Sequence, residues 1–228
     1  MSLLIPVGIR PGLHPDIRRQ FLRCLDAVQE ASGAEVVIDK TRFPKRRGEN
    51  YFANVARSRN HLIDTYLRDD HDEVLWIDAG LVSFPPDLYQ RLHELTASSI
   101  RIVAPLCLIE ETYPVMFYDI AGYRERPEPM TPHFEPWFSS NGERAVELIA
   151  VGACVLVPAE VHRKFRFVPQ APDDPYNNTD WFDLMQRARA DGYHVYVDTE
   201  TVVWHAKLPK YGESWHDGKA WNAQNVTP

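Results

Sequence analysis

Residues 74–82 read VLWIDAGLV. Four apolar residues, Val74, Leu75, Trp76 and Ile77, run without a break into a carboxylate, Asp78, and the chain then passes through Ala79-Gly80 toward Pro85-Pro86. A short, continuously apolar run bounded by turn residues is the pattern of a strand buried on both faces, as in a parallel sheet covered by helices. In open α/β sheets ligands bind outside the carboxyl ends of such strands. A carboxylate placed there is costly to bury alone and becomes tolerable when it meets a cation or a hydroxyl. The other reading is that Asp78 caps the turn that follows it.

Working outward, the alternation of strands and helices supports the sheet. Leu3 to Ile9 reads as a strand. Over His14 to Ala31 the apolar residues Ile17, Phe21, Leu22, Leu25 and Val28 fall at helical spacing, with Gly33 as the stop. Ala34 to Ile38 predicts a second strand, Thr41 to Tyr51 a basic loop, Asn54 to Leu67 a second helix and Asp87 to Leu95 a third. Ile100 to Ala104 and Val115 to Tyr123 predict further strands, and Arg124 to Glu143, rich in Pro and polar residues, a long functional loop or lid. Then come a strand over Glu147 to Val157 broken by Gly152, a short helix over Ala159 to Phe165, and a helix over Thr179 to Asp191 ended by Gly192. Two strands follow, His194 to Val197 and Thr201 to Trp204. The expected architecture is α/β, with a mainly parallel central sheet and helices on both faces.

Bulk properties narrow the function. A chain of 228 residues suffices for one large domain with a substantial core. The net charge of −7 argues against non-specific binding to nucleic acid or anionic membranes. Three cysteines, Cys24, Cys107 and Cys154, are odd in number and lack metal-ligand spacing, so reduced thiols in a cytoplasmic protein are expected. The first residues, MSLLIPVGIRPG, read as a strand and not as a signal peptide, and no stretch approaches the ~20 apolar residues of a membrane-spanning helix.

Three more segments carry chemistry, each with an ordinary alternative. Ala56-Arg57-Ser58-Arg59-Asn60 opens the second helix with donors suited to a diphosphate or a base, or else forms a solvated face with ion pairs. Gly152, inside the apolar run 150–157, marks either a bulge or the close approach of a ligand or another backbone. In TDWFDLMQRARADGYHVYVDTETVVWH, residues 179–205, Asp180 opens a helix and His205 ends a strand. Alone, Asp180 reads as a first-turn acid and His205 as a satisfied strand-end histidine.

Taken in order, these segments resemble the GT-A glycosyltransferases, especially the inverting family-2-like enzymes. Those typically show an Arg-Asn pair opening a helix, an apolar strand into Asp-X-Asp, Pro-Pro-Asp, a Val-Gly-small strand, Glu-Asp opening a late helix, and a Gly-aromatic turn into a strand ending in His. Here the matches are Arg59-Asn60, Asp78, Pro85-Pro86-Asp87, Val151-Gly152-Ala153, Thr179-Asp180, Gly192-Tyr193 and His205. The Ala-Arg-Ser-Arg-Asn segment is also similar to fungal Golgi α-mannosyltransferases of that fold. The resemblance spans roughly residues 3–206 and departs at two places: Gly80 stands where the second acid belongs, and Thr179 where the glutamate does.

The resemblance implies a Rossmann-like nucleotide-diphospho-sugar transferase in one domain over 1–228. Residues 1–105 would be its nucleotide-sugar-binding half and 106–228 its acceptor-binding and catalytic half. It implies a nucleoside-diphosphate sugar as donor, contacted by Pro6, Arg10, Asp39, Arg57, Arg59, Asn60, Asp78 and Gly152. Asp78 and His205 would hold Mn²⁺ or Mg²⁺, a site put in question by Gly80, with Lys45-Arg46-Arg47 or Arg57 and Arg59 as alternative cations. Asp180 would be the general base, its ionised form favoured at a helix N-terminus. The acceptor is a glycan, a small molecule or modified nucleic acid. Two other functions stay open: a non-catalytic nucleotide- or glycan-binding descendant, and a transferase acting on hydroxylated DNA bases. The aromatic stretch Lys207 to Trp221 is either a closing lid or a packed tail.

Overall fold

In a computed structural model of the chain, residues 2–9, 12–44, 51–96, 101–109, 143–168 and 180–206 are described. Arg10, Lys45-Arg46-Arg47, the expected strand at 115–123, almost all of the loop at 124–143, Thr179 and the aromatic tail lie outside them.

Among the described residues eight strands form one sheet: β1 Leu3–Gly8, β2 Glu35–Asp39, β3 Glu73–Ile77, β4 Leu81–Ser83, β5 Arg101–Ile109, β6 Ala145–Glu147, β7 Cys154–Pro158 and β8 His194–His205. Their order is β2-β1-β3-β7-β5-β8-β4, with β6 also paired to β8. β1 pairs in parallel with β2 and β3, and β5 with β8. β7 runs antiparallel between β3 and β5, so β1, β2, β3, β5 and β8 share one direction while β4, β6 and β7 oppose it. The sheet is therefore mixed and mostly parallel, and the carboxyl ends of the parallel strands gather on one edge of the domain.

Among the described residues the helices are α1 Pro15–Ser32, α2 Tyr51–Tyr66, α3 Leu88–Leu95, α4 Ala159–Lys164 and α5 Asp180–Ala190. α1 starts on a proline, whose fixed φ suits a first turn, and stops at Gly33, left-handed at φ 68°, whose N–H closes on the Gln29 carbonyl. Phe21, Leu25 and Val28 form its buried stripe.

β3 justifies the reading of its sequence. All five residues are buried, and they divide by parity between two cores. Leu75 and Ile77 join Phe21, Leu25, Leu88 and Leu92 beneath α1 and α3. Val74 and Trp76 join Ala56, Ile63, Trp181 and Leu184 beneath α2 and α5. A strand with helices on both faces has no polar side to show, and that is why its sequence is apolar without alternation.

Three elements differ from the sequence reading. Leu81–Ser83, to which the sequence reading assigns no element, is a strand, because it pairs antiparallel with the end of β8 (Leu81 opposite His205), a partner no local pattern reveals. The two expected strands at 194–204 are one strand interrupted by a bulge, where the register against β5 jumps from Asp198 to Val202. Asp198, fully buried, holds the bulge by accepting from Thr201 Oγ1 at 2.7 Å, the Glu200 N–H at 3.1 Å and Arg144 Nε at 3.3 Å. The strand expected across Gly152 is split: Ala153 sits at φ 54°, a left-handed conformation that L residues rarely adopt, and β7 begins only after it.

Leu75 is fully buried in β3, an interior strand, so Leu75→Ala is expected to lower unfolding free energy by about 2–5 kcal/mol. A urea titration showing less than about 1 kcal/mol of loss would contradict the two-core description.

Candidate active site

Asp78 follows β3 at the carboxyl edge. Its N–H donates to the Ala153 carbonyl at 2.8 Å, and its own carbonyl accepts from the Leu81 N–H at 3.0 Å. The first bond uses the strained turn at 151–153, and the second closes the tight turn Asp78-Ala79-Gly80-Leu81. Gly152, expected at either a bulge or a point of close approach, lies in the turn whose next carbonyl holds Asp78. The side chain of Asp78 is 31% exposed, so it reaches solvent.

Gly80 and His205 are fitted to one another. A Cβ added to Gly80 would lie 2.3 Å from His205 Nε2 and 2.6 Å from Cε1, well inside contact distance. The Ala206 N–H donates to the Gly80 carbonyl at 2.9 Å, fixing β8 against this turn. The imidazole of His205 thus occupies the space that a side chain at position 80 would need. His205 is buried, and its Nδ1 donates to the Ala206 carbonyl at 2.9 Å while its Nε2 faces Gly80. A carboxylate and an imidazole are ligand types that a divalent cation takes. Among the described residues no third His, Cys, Asp or Glu completes a metal cluster with them.

Arg59 was expected to face a donor and instead points inward. It lies on the buried stripe of α2, three residues after Ala56 and four before Ile63, and is only 8% exposed. Its Nη1 donates to Asp180 Oδ2 at 2.5 Å and its Nη2 to Asp78 Oδ1 at 3.2 Å. Three rings surround the guanidinium, with centroids 4.9 Å (Trp181), 5.5 Å (Phe167) and 6.0 Å (Trp76) from Cζ. Burial lowers the basicity of Arg59, but the charges and hydrogen bonds of the two aspartates outweigh it and leave its pKa raised.

Asp180, the first residue of α5, is 2% exposed. Burial pushes its carboxyl above the usual range. Arg59 opposes that rise and the charge of Asp78 adds to it. The two aspartates, on separate elements, therefore meet on one guanidinium, and His205 packs two residues from Asp78.

Other expected donor contacts fall elsewhere. Both ends of the Asn60 amide clamp the Phe167 backbone: Nδ2 donates to its carbonyl at 2.7 Å, and Oδ1 accepts from its N–H at 2.9 Å. Asn60 therefore fixes a wall of the Arg59 cage. Pro6 is buried within β1, paired with Val37, and lies short of the strand end. Arg57 donates to the Pro44 carbonyl at 2.9 Å and to Asn54 Oδ1 at 3.3 Å. Asp39 ends β2 as expected, but its oxygens accept from the Thr41 N–H (2.6 Å) and the Tyr66 hydroxyl (3.1 Å) and pair with His61 Nε2 (3.1 Å). Burial resists ionisation of Asp39, and the bonds from Thr41 and Tyr66 together with His61 overcome it, so its pKa is lowered.

Sequence reasoning passed over His162. It is fully buried on α4, accepts the Trp76 indole N–H on Nε2 at 2.8 Å, and packs edge-on to Trp76 and tilted against Phe167, so it fixes the ring that floors the Arg59 cage. Burial, with the positive charges of Arg166 and Arg59, pushes its pKa from 6.5 down to about 3. The one available signal was a histidine on an otherwise apolar helix face.

No known family profile matches the sequence. Among solved structures, the chain superposes on GalNAc-T7, crystallised with UDP, GalNAc and Mn²⁺, with a TM-score of 0.56 and 10% identity, covering 91% of this chain and 44% of that one. It also superposes on a glycosyltransferase involved in glycosylation of the major capsid of PBCV-1, with a TM-score of 0.52 and 9% identity, covering 95% of this chain and 100% of that one. The chain thus spans less than half of the GalNAc-T7 chain and the whole of the viral one. At such identities the likeness establishes the fold: this is the GT-A fold of those glycosyltransferases.

Two outcomes follow from the site geometry. Gly80→Ala is expected to drive the His205 ring from its seat, shifting its imidazole NMR signals and lowering stability by about 1–3 kcal/mol; unchanged signals would refute the contact. His162 has its pKa lowered on folding, so the unfolded chain binds its proton first as pH falls below 6.5. Stability is therefore full above that pH and declines toward pH 3, by up to about 1.4 kcal/mol per unit. His162→Gln, which keeps an acceptor for Trp76, should flatten that slope in denaturation curves measured from pH 7 to pH 4.

Proposed function

We propose that the protein is a glycosyltransferase moving a sugar from a nucleoside-diphosphate sugar to an acceptor hydroxyl, with inversion and with Asp180 as general base. The observation that carries this reading is the convergence of Asp78 and Asp180 on Arg59, beside His205, at the carboxyl edge of a GT-A sheet. The UDP, GalNAc and Mn²⁺ in the GalNAc-T7 crystal structure support it.

In this reading Asp78 and His205 hold Mn²⁺ or Mg²⁺. Such a cation, when bound, supplies Lewis-acid stabilisation of the leaving diphosphate. Asp39, with His61 and Tyr66, lines the nucleoside side, and Arg57 stands at the rim. Asp180 accepts the acceptor's hydroxyl proton as that oxygen attacks the anomeric carbon. The new C–O bond forms opposite the leaving group, and the electron pair of the broken bond departs on the nucleoside diphosphate. A carboxyl whose pKa is raised by burial is a stronger base for this step, and Arg59 together with the α5 N-terminus opposes its protonation.

The absent acid at position 80 and the burial of Asp180 favour one second reading, a descendant that binds a nucleotide or glycan without turnover. The test is a panel of nucleotide sugars with Mn²⁺, with glycans, small alcohols and hydroxymethylated DNA as acceptors, read as nucleoside diphosphate release. Turnover is expected, with Asp180→Asn reducing kcat by about 10²–10⁴-fold while donor affinity persists. Asp78→Ala is expected to weaken donor binding in Mn²⁺ and to leave it unchanged in EDTA. Donor binding without release on every pair would establish the second reading.

A further inference from the structure

Arg59 occupies a place where an apolar residue would serve the fold better. Its neighbours on the same stripe of α2 are Ala53, Ala56, Leu62 and Ile63, all at most 3% exposed. Buried ion pairs are commonly neutral or worse for stability than a well-packed apolar replacement. The retained charge therefore calls for a role besides holding α2 to α5.

Its geometry supplies one. The guanidinium is planar and rigid, with donors directed along fixed lines. Trp76, Phe167 and Trp181 enclose it, and these rings also brace one another edge-on: Phe167 to Trp181 at 4.9 Å, Trp76 to Phe167 at 5.6 Å and Trp76 to Trp181 at 6.0 Å. Asn60 clamps Phe167 through its backbone, and His162 anchors the Trp76 indole. One guanidinium nitrogen then holds a partly exposed carboxylate, Asp78, with 31% of its side chain accessible. Another holds a carboxylate in the interior, Asp180, with 3% exposed.

We propose that Arg59 is a positioning residue that sets Asp78 and Asp180 in a fixed relation to each other, so that the donor side and the proton-accepting side of the reaction are held in register. The proposal rests on the glycosyltransferase reading for its catalytic consequence, and on the Arg59 contacts alone for its structural one. Arg59 touches neither donor nor acceptor. It acts through the two carboxylates, and its cage acts through it.

The experiment separates the two. Arg59→Lys keeps the charge and loses the fork; it is expected to bind UDP with Mn²⁺ within about threefold of the parent while kcat falls about 10²-fold, the cost of a small misplacement. Arg59→Ala leaves a guanidinium-sized void, and added guanidinium chloride at tens of millimolar, against equal NaCl, is expected to recover kcat at least tenfold. The proposal is overturned if Arg59→Lys loses UDP affinity with kcat intact, or if guanidinium restores the melting temperature without kcat. A readout free of turnover covers a wild-type protein inactive on every donor, an outcome that defeats the glycosyltransferase reading alone. In protein labelled with ¹³C at aspartate carboxyls, Asp78→Asn should move the Asp180 resonance in the parent, and by less than half as much in Arg59→Lys. Equal shifts in both backgrounds would overturn the positioning role.

Discussion

The site is organised by one buried cation. Arg59 is taken from water and returned two carboxylates and three aromatic faces. Each return is needed. A buried arginine without a counterion is too costly to keep, and removing one member of a buried pair typically destabilises by about 3–5 kcal/mol. A desolvated guanidinium over an aromatic face gains up to about 2 kcal/mol. The cluster joins α2, α5, the end of β3 and the segment around Phe167. Elements distant in the chain are thereby tied at the edge of the sheet where ligands bind.

A second constraint acts beside it. The turn after β3 is held from below by the Ala153 carbonyl and from the side by β8. Ala153 accepts a left-handed conformation, a local cost of about 1–2 kcal/mol, and in that conformation it presents its carbonyl to the N–H of Asp78. Gly80 accepts the His205 ring at a distance no Cβ would permit. The glycine in place of an acid is therefore a fitted element of the packing: a larger residue at 80 and the present position of His205 exclude each other.

Much of this was legible in the sequence. The parity of burial in β3 follows from its unbroken apolar run, α1 from its spacing and its Pro and Gly ends, and the mostly parallel sheet from the order of elements. Asp78, Asp180 and His205 were each identifiable as ends of elements, because a charge or imidazole closing an apolar run is visible in a line of residues. The direction of Arg59 was half visible, since it sits in register with Ala56 and Ile63, yet a polar residue at a core position does not announce its partner. Asn60 and His162 were illegible as parts of the cage. Their contacts depend on backbone groups and rings that only the fold supplies.

The sequence by itself determined the class of fold, most element boundaries and the set of chemically capable side chains, because hydrophobic periodicity and turn chemistry are local. Tertiary structure decided which of those side chains meet. It turned Arg59 inward, made a strand of Leu81–Ser83, fused β8 across its bulge, and seated His205 against Gly80. Each of these depends on pairing between segments far apart in the chain, where the free energy of a contact is set by what the other segment places opposite.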